Sequence, residues 1–241
     1  MTISAVKTPS EITTRNLAVD VLRGLSIILM IIFHFGYDLS VFGYAHYDTN
    51  VDIEWRVFRA VIVSGFLLAV GMSSYLAYKV HINTSKLTSN LVKLLAVSAA
   101  ISLGSYLMYP NNWVYFGIIH FITVALPLSL LFIHRPNLSL VLALVIILAY
   151  FGDAISLEGP WLWSVEHLAI PQHTVDLVSI LPWFALVLIG IFVIHHQLLP
   201  SIKPNKVSGF LARMGQHSLL IYLLHQPLLF AGFYLVQQLR Q

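Results

Sequence analysis

The stretch AVDVLRGLSIILMIIFHFGYD, residues 18–38, decides the class of fold. It is mostly apolar and about as long as the ~20 residues that a helix needs to cross a bilayer. The whole chain has the same character, since its 241 residues are 58% hydrophobic and only 10% charged, with a mean hydropathy of +0.83. Soluble domains carry about 25% charged residues. The composition therefore predicts an integral membrane protein and argues against a soluble globular one.

Further apolar segments follow the first at short intervals. Together they predict about seven transmembrane helices, at residues 18–38, 57–78, 91–109, 114–133, 138–155, 177–196 and 216–236. The short connections between them leave no room for a soluble domain. We expect an all-α, polytopic helix bundle, in which residues 1–16 form a cytoplasmic N-terminal tail and residues 17–241 form a single transmembrane domain.

The distribution of charge predicts the orientation of this bundle. If the N-terminus is cytoplasmic, ten of the 13 basic residues fall on the inner side, namely Lys7, Arg15, Arg23, Lys79, Lys86, Lys93, Arg135, Lys203, Lys206 and Arg213. Among the acidic residues only Glu11 and Asp20 are inner. Because cytoplasmic loops of membrane proteins are enriched in Lys and Arg, we expect a cytoplasmic N-terminus and an odd number of spans.

The first predicted helix carries ionisable residues within an apolar span, which marks a functional candidate. Asp20 and Arg23 are three residues apart, and His34 and Asp38 are four apart, so each pair shares a helix face. His34 is eleven positions after Arg23, which places both on one face about 16 Å apart. We predict a polar stripe that connects the two ends of this helix. The alternatives are that Asp20 and Arg23 brace a helix end and that His34 packs in the interior.

Other polar residues interrupt the apolar segments at a comparable depth. They are Arg56, Arg59, His120, Asp176 and His225. We expect them to face the outer end of the stripe. Headgroup anchoring for the arginines and interhelical hydrogen bonding for the histidines are the alternatives.

Several other classes of site are unsupported. The chain has no cysteine, which excludes thiol chemistry and disulfides. The acidic loop around Asp48 and Asp52 lacks the glycine of a calcium loop, and the adjacent His195 and His196 point apart on a helix. We therefore expect no metal, and the sparse basic loops predict no nucleic-acid partner.

The stretch RNLAVDVLRGLSIILMIIFHFGYDL, residues 15–39, resembles the opening of the heparan-alpha-glucosaminide N-acetyltransferase catalytic-domain family, in its short bacterial branch. The likeness continues in order through FRAVIVSGFLLAVGMSS (58–74), YFGIIHFI (115–122), ILPWFALVLIG (180–190) and GQHSLLIYLLHQPLL (215–229). The interval from Arg23 to His34 also resembles the arginine, ten residues, histidine pattern of related membrane-bound O-acyltransferases that modify bacterial surface glycans.

The resemblance implies a histidine-based transferase of the bacterial cytoplasmic (inner) membrane. It implies that cytosolic acetyl-CoA or another acyl-CoA is the donor and that the acyl group is delivered across the membrane. The expected acceptor is an amino or hydroxyl group of an envelope sugar or similar small molecule. In the family's lysosomal members the catalytic histidine follows the first helix, where His46 stands here, whereas His34 occupies a position that those enzymes fill with asparagine.

These expectations give each candidate residue a role. We expect the donor to bind near Arg15, Asp20, Arg23 and Arg213, because guanidinium groups suit phosphate. His34, or alternatively His46, is the expected catalytic base, oriented by Asp38. The acceptor or oxyanion side is assigned to Arg56, Arg59, His120, Asp176 and His225. Membrane lipid is an expected partner, and a homodimer is left open. A small proton-coupled transporter and a non-enzymatic membrane subunit are the rival functions.

Overall fold

The computed structural model describes residues 15–155, 158–168, 170–174 and 176–240. Residues 1–14 of the predicted tail lie outside them. Across these ranges the regular elements are helices, apart from one isolated β-bridge. They are α1 (Leu17–Val41), α2 (Ile53–Tyr78), α3 (Thr84–Met108), α4 (Ile118–Leu130), α5 (Pro136–Phe151), α6 (Glu158–Leu168), α7 (Ile180–His195), α8 (Lys206–Gln216) and α9 (Ser218–Gln238).

Each of the seven predicted spans overlaps one of the apolar helices α1–α5, α7 and α9, which confirms the all-helical membrane architecture. Within the described ranges, four helices are long and apolar enough to cross a bilayer, namely α1, α2, α3 and α9. The apolar helices α4, α5 and α7 have 13, 16 and 16 residues and are shorter than a typical span. Helices α6 and α8 were not predicted. The full number of spans and the cytoplasmic N-terminus stay predictions.

Helices α4 and α7 begin later than predicted, because the residues before them are extended. Phe116 and Leu177 form an isolated parallel bridge, in which the Val178 N–H donates to the Phe116 carbonyl oxygen at 3.1 Å. The adjacent Asp176 carboxylate accepts the Ile118 N–H at 3.3 Å. That bond satisfies one of the free amides at the start of α4. The local capping interaction therefore replaces the first turn that hydropathy alone predicts.

The contacts of α1 give the direction of its neighbours. Helix α2 is antiparallel to α1 and helix α9 is parallel to it. The residue pairs that show this are Arg23–Ser73 and Phe33–Phe58 between α1 and α2, and His34–His225, Asp38–Gln226 and Phe42–Phe230 between α1 and α9. Helix α1 thus lies between two helices that both contribute polar side chains.

Small residues allow the central helices to approach closely. A Cβ added to Gly71 of α2 would overlap the Val187 carbonyl of α7, and one added to Gly190 of α7 would overlap the Leu68 carbonyl of α2. Glycines at helix contacts are the usual means of close packing in membrane bundles. The α2–α7 pair therefore forms a rigid centre against which α1, α4 and α5 pack.

Candidate active site

Two cavities formed by the described residues border α1. The first, which we call the histidine cavity, has a volume of about 290 Å³, and its polar lining includes His34, Tyr37, Thr49, Asn50, Arg59, Ser105, Tyr109, Asp176, Tyr222, His225 and Gln226. The second, the arginine cavity, has a volume of about 260 Å³, and its polar lining includes Arg23, Ser73, Ser74, Tyr78, Asn90, Ser218 and Tyr222. The arginine cavity borders the N-terminal half of α1 at Arg23, and the histidine cavity borders its C-terminal half at His34.

The two cavities are neighbours that share part of their lining. Phe66, Ile118 and Tyr222 line both of them. The predicted stripe therefore does not open into one continuous channel. Its Arg23 end and its His34 end line separate cavities with a common wall, and any path between them passes these three side chains.

The centre of the histidine cavity is a contact between two imidazoles. The His34 ring of α1 lies edge-on to the His225 ring of α9, with 4.7 Å between the ring centroids and 66° between the planes. His225 is 8% exposed, and its Nδ1 lies 2.7 Å from the Tyr222 carbonyl oxygen. Since a carbonyl oxygen only accepts, Nδ1 of His225 carries the hydrogen and donates it. Nε2 of His225 then presents a lone pair.

Asp38 pairs with α9 and not with His34. Its side chain is fully buried at 0% exposure, and Oδ1 accepts a hydrogen bond from Gln226 Nε2 at 2.8 Å. Within the described residues no hydrogen bond joins Asp38 to His34, so the predicted orientation of His34 by Asp38 is absent from this arrangement. The i, i+4 spacing puts both residues on one face, but the carboxylate turns to the amide donor of α9.

Four buried polar atoms of this region have no hydrogen-bond partner among the described residues. They are His34 Nδ1, Asp38 Oδ2, His225 Nε2 and Gln226 Oε1. An unsatisfied buried polar group costs about 1–3 kcal/mol. Native proteins leave few such groups, and a role in catalysis is one explanation for a cluster of four at the α1–α9 contact.

Charged groups also line the histidine cavity. Arg59 of α2 and Asp176 both line it. Burial raises the pKa of the Asp176 carboxyl above its usual value, while the hydrogen bond from the Ile118 N–H and the charge of Arg59 oppose that rise. The cavity thus combines a cation, a carboxyl group and two imidazoles within an otherwise apolar lining.

The polar groups at the other end of α1 are tightly interconnected. Asp20 is 6% exposed and contacts Arg15 at 3.8 Å, Arg23 at 3.6 Å and Gln216 at 3.0 Å. Arg23 also donates to the Gly215 carbonyl oxygen at 3.4 Å, and its second terminal nitrogen bonds the Ser73 hydroxyl. This network ties α1 to α2 and α8. It confirms that Asp20 and Arg23 are neighbours, and it also places the guanidinium at the arginine cavity.

Four other candidates line neither cavity. His46, Arg56 and Arg213 are exposed, His46 in the loop after α1 and Arg213 near the end of α8. His120 is held structurally. Its Nδ1 accepts the Gly117 N–H at 3.3 Å, so Nε2 carries the hydrogen and bonds the Ser102 hydroxyl at 2.9 Å. This arrangement fits the alternative of interhelical hydrogen bonding for His120.

Four residues that bond the candidate residues or line the cavities at the two ends of α1 were not among the candidates from the sequence. They are Ser73, Gln216, Tyr222 and Gln226. The spacing of Tyr222, His225 and Gln226 puts them on one face of α9, and this periodicity was a signal that could have found them. In the part of the chain that the structure describes, no group of three or more His, Asp or Glu side chains is placed to hold a metal ion.

Comparison with known proteins assigns the chain to a family. The family model described as "Heparan-alpha-glucosaminide N-acetyltransferase, catalytic" matches residues 15–227, which is most of the sequence. No curated protein and no solved structure matches the chain. The matched region contains both cavities' polar residues on α1, α2 and α9. The chain belongs to the heparan-alpha-glucosaminide N-acetyltransferase catalytic-domain family, a family of membrane acetyltransferases.

Proposed function

We propose that this protein transfers an acetyl group, or another short acyl group, from cytosolic acyl-CoA to an acceptor on the other side of a bacterial cytoplasmic membrane. The acceptor carries an amino or hydroxyl group and is an envelope sugar or a similar small molecule. The family supports the acetyltransferase activity. The identity of the donor, the side of the acceptor and the mechanism are the proposal.

The unpartnered cluster at the histidine cavity is the observation that carries this proposal. His34, Asp38, His225 and Gln226 each bury a polar atom that bonds no other described residue. A bundle that only had to be stable would gain by replacing them with apolar side chains. Their presence beside a cavity of about 290 Å³ is explained if they act on a bound acceptor.

The arginine cavity is the proposed entry for the donor. Arg23 lines it together with hydroxyl and amide side chains of α2, α3 and α9. A guanidinium binds phosphate oxygens through two parallel hydrogen bonds. Arg15, which is exposed and contacts Asp20 from the chain's N-terminal side, is placed to add a second positive charge. Asp20 holds both arginines by ion pairing. We propose that Arg213, exposed on α8, adds charge outside the cavity.

His34 is the proposed catalytic base. It lines the histidine cavity, whereas the alternative His46 is exposed outside it. In the proposed step, His34 takes the proton of the acceptor's amino or hydroxyl group as that group attacks the thioester carbonyl. The carbon–sulfur bond then breaks, and coenzyme A leaves as a thiol once its sulfur has gained the proton that His34 took from the acceptor. Arg59, which also lines the cavity, is the candidate for stabilising the oxyanion. Asp38 supports His34 indirectly, by fixing α9 through Gln226.

Helix direction supports an odd number of spans. Helices α1 and α9 run in the same direction. Because successive spans of a chain alternate in direction, the number of spans counted from α1 to α9 must be odd. The four long helices alone give an even number. We therefore propose that the shorter apolar helices α4, α5 and α7 also cross, which gives seven spans with the N-terminus in the cytoplasm.

The function is tested with purified protein in detergent. We expect acetyl-CoA to raise the thermal midpoint, since a ligand at 100 times its Kd stabilises by about 2.7 kcal/mol. Radiolabelled acetyl-CoA should yield labelled product from a panel of amino sugars, hydroxyl sugars and simple amines. Arg23→Met should lower the donor-induced shift, whereas Arg135→Met, an exposed arginine at the start of α5, should not.

Absence of both donor stabilisation and labelled product would contradict the proposed function. If the protein instead catalysed proton-dependent solute uptake into vesicles, the transporter alternative would replace it.

A further inference from the structure

His225 is a buried histidine whose protonation pattern is fixed by its own helix. Its Nδ1 donates to the Tyr222 carbonyl oxygen at 2.7 Å, one turn earlier in α9. That bond leaves Nε2 as the nitrogen that accepts a proton. Nε2 is buried and bonds no other residue of the described chain. The side chain is therefore anchored at one nitrogen and free to react at the other.

The free nitrogen lies beside a second imidazole in the same condition. The rings of His34 and His225 are in edge contact at 4.7 Å between centroids, and His34 Nδ1 also has no partner among the described residues. Two such rings exchange a proton after a small side-chain rotation. Because two positive charges at this distance in an apolar interior would repel strongly, the pair holds at most one extra proton.

His225 lies next to a residue of the wall between the two cavities. It lines the histidine cavity, and Tyr222, which accepts its Nδ1 hydrogen, lines both that cavity and the arginine cavity. In acetyl transfer from a thioester, the acceptor loses a proton on one side of the reacting carbonyl and the leaving sulfur gains one on the other. A second proton carrier between the base and the donor cavity meets this need.

We propose that His225 is a proton-relay residue, which receives from His34 the proton of the acceptor and delivers it to the leaving sulfur of the donor. This inference rests on the proposed function. The bond between the acceptor and the acetyl carbon forms, and the carbon–sulfur bond breaks. The acceptor's proton passes to His34, then to Nε2 of His225, and finally to sulfur as coenzyme A thiol. Both histidines return to their starting state without an added acid or base.

The test compares His225→Gln with wild type in the labelled acetyl-transfer assay. Glutamine keeps an amide donor on a side chain of similar length but cannot carry the proton. We expect kcat to fall about 100-fold or more, with KM for acetyl-CoA and the donor-induced thermal shift unchanged. The slower proton transfer should also enlarge the solvent deuterium isotope effect on kcat. A structural role would instead move the thermal midpoint and donor binding and leave the isotope effect as it is.

Two further variants keep the result interpretable. His225→Asn is measured in parallel in case the glutamine variant does not fold. His195→Gln is the matched control, because His195 lies in α7 with Nδ1 bonded to Tyr75 Oη at 2.7 Å and takes no part in the proposed reaction. Its kcat should stay within about twofold of wild type.

A kcat within about threefold of wild type in a folded His225 variant would overturn the relay and leave the proposed function standing. The relay would also be overturned if activity fell only in step with the thermal midpoint and donor binding. Wild-type protein that transfers no acetyl group would overturn the proposed function itself.

Discussion

The two ends of α1 both carry buried polar and ionisable residues, but the two groups differ in how many of their polar atoms have hydrogen-bond partners. At the arginine cavity, Asp20 contacts two arginines and Gln216, and Arg23 also bonds Ser73. At the histidine cavity the imidazoles and the buried carboxylate and amide each keep one polar atom without a partner among the described residues. One helix thus carries a satisfied polar network at one end and an unsatisfied one at the other.

The difference separates architecture from chemistry. A satisfied buried network fixes the positions of helices, and its removal leaves charges unpaired. An unsatisfied cluster costs stability and is retained where a substrate or a proton is to be bound. On this reasoning the arginine end positions α1, α2 and α8 and offers one face to the donor, while the histidine end performs the transfer.

The largest expected effect is at the histidine end. His34→Gln should lower kcat by about 10²–10⁴-fold, the usual contribution of a general base, and change the thermal midpoint little. The measurement is turnover of labelled acetyl-CoA, with the exposed His81→Gln as a control. Retained turnover in His34→Gln together with loss in His46→Gln would transfer the catalytic role to His46.

The carboxylates of the two ends provide a matched pair for stability. Asp20→Asn should lower the free energy of unfolding by about 1–3 kcal/mol, because it weakens bonds to two guanidinium groups. Asp38→Asn should change it by less than about 1 kcal/mol, since the amide oxygen still accepts from Gln226 and a buried, half-satisfied carboxylate is removed. Both are measured by unfolding in the same detergent. Equal losses would remove the distinction between the two ends.

Sequence reasoning succeeded where a local property suffices. Hydropathy alone located seven apolar helices, and the three-residue spacing alone made Asp20 and Arg23 neighbours. It failed where rotation of one helix against another decides the partner. Asp38 bonds Gln226 because of the way α9 is turned toward α1. The sequence of α1 alone does not indicate this partner.

The separation of the two cavities could not be predicted from the sequence for the same reason. Phe66, Ile118 and Tyr222 form the shared wall, but each lies in an apolar run where its position looks ordinary. Similarly, the late starts of α4 and α7 depend on a bond between Asp176 and Ile118 across 58 residues. Hydrophobic periodicity within a window cannot report such contacts.

Substitutions at two glycines test whether the helices are packed more closely at the arginine end of α1 than at the histidine end. A Cβ on Gly24 would overlap the Leu211 backbone carbonyl of α8, whereas one on Gly117 would meet the Asp176 side chain. Gly24→Ala should therefore cost about 1–3 kcal/mol of stability, in the range of other overpacked cores. Gly117→Ala should cost less and mainly raise KM for the acceptor, because it displaces a group of the histidine cavity. The reverse order of stability losses would contradict this contrast.

The smallest expected effect is a pH dependence at the histidine cavity. Burial raises the pKa of Asp176, so folding favours its protonated form. The resulting stabilisation is complete below the unfolded pKa of about 4 and is lost as pH rises through the folded pKa. Asp176→Asn retains the acceptor for the Ile118 N–H without this titration. The variant should gain stability relative to wild type as the pH rises above about 4, and a constant difference would contradict the assignment.

Transfer across a sealed membrane tests the central claim most directly. The protein is reconstituted into vesicles that contain an acceptor amine or sugar found active in detergent, and labelled acetyl-CoA is added outside. Labelled acceptor should accumulate inside while coenzyme A stays outside, and His34→Gln vesicles should give none. Product formed only when donor and acceptor share one compartment would contradict transfer of the acetyl group through the protein from one side of the membrane to the other.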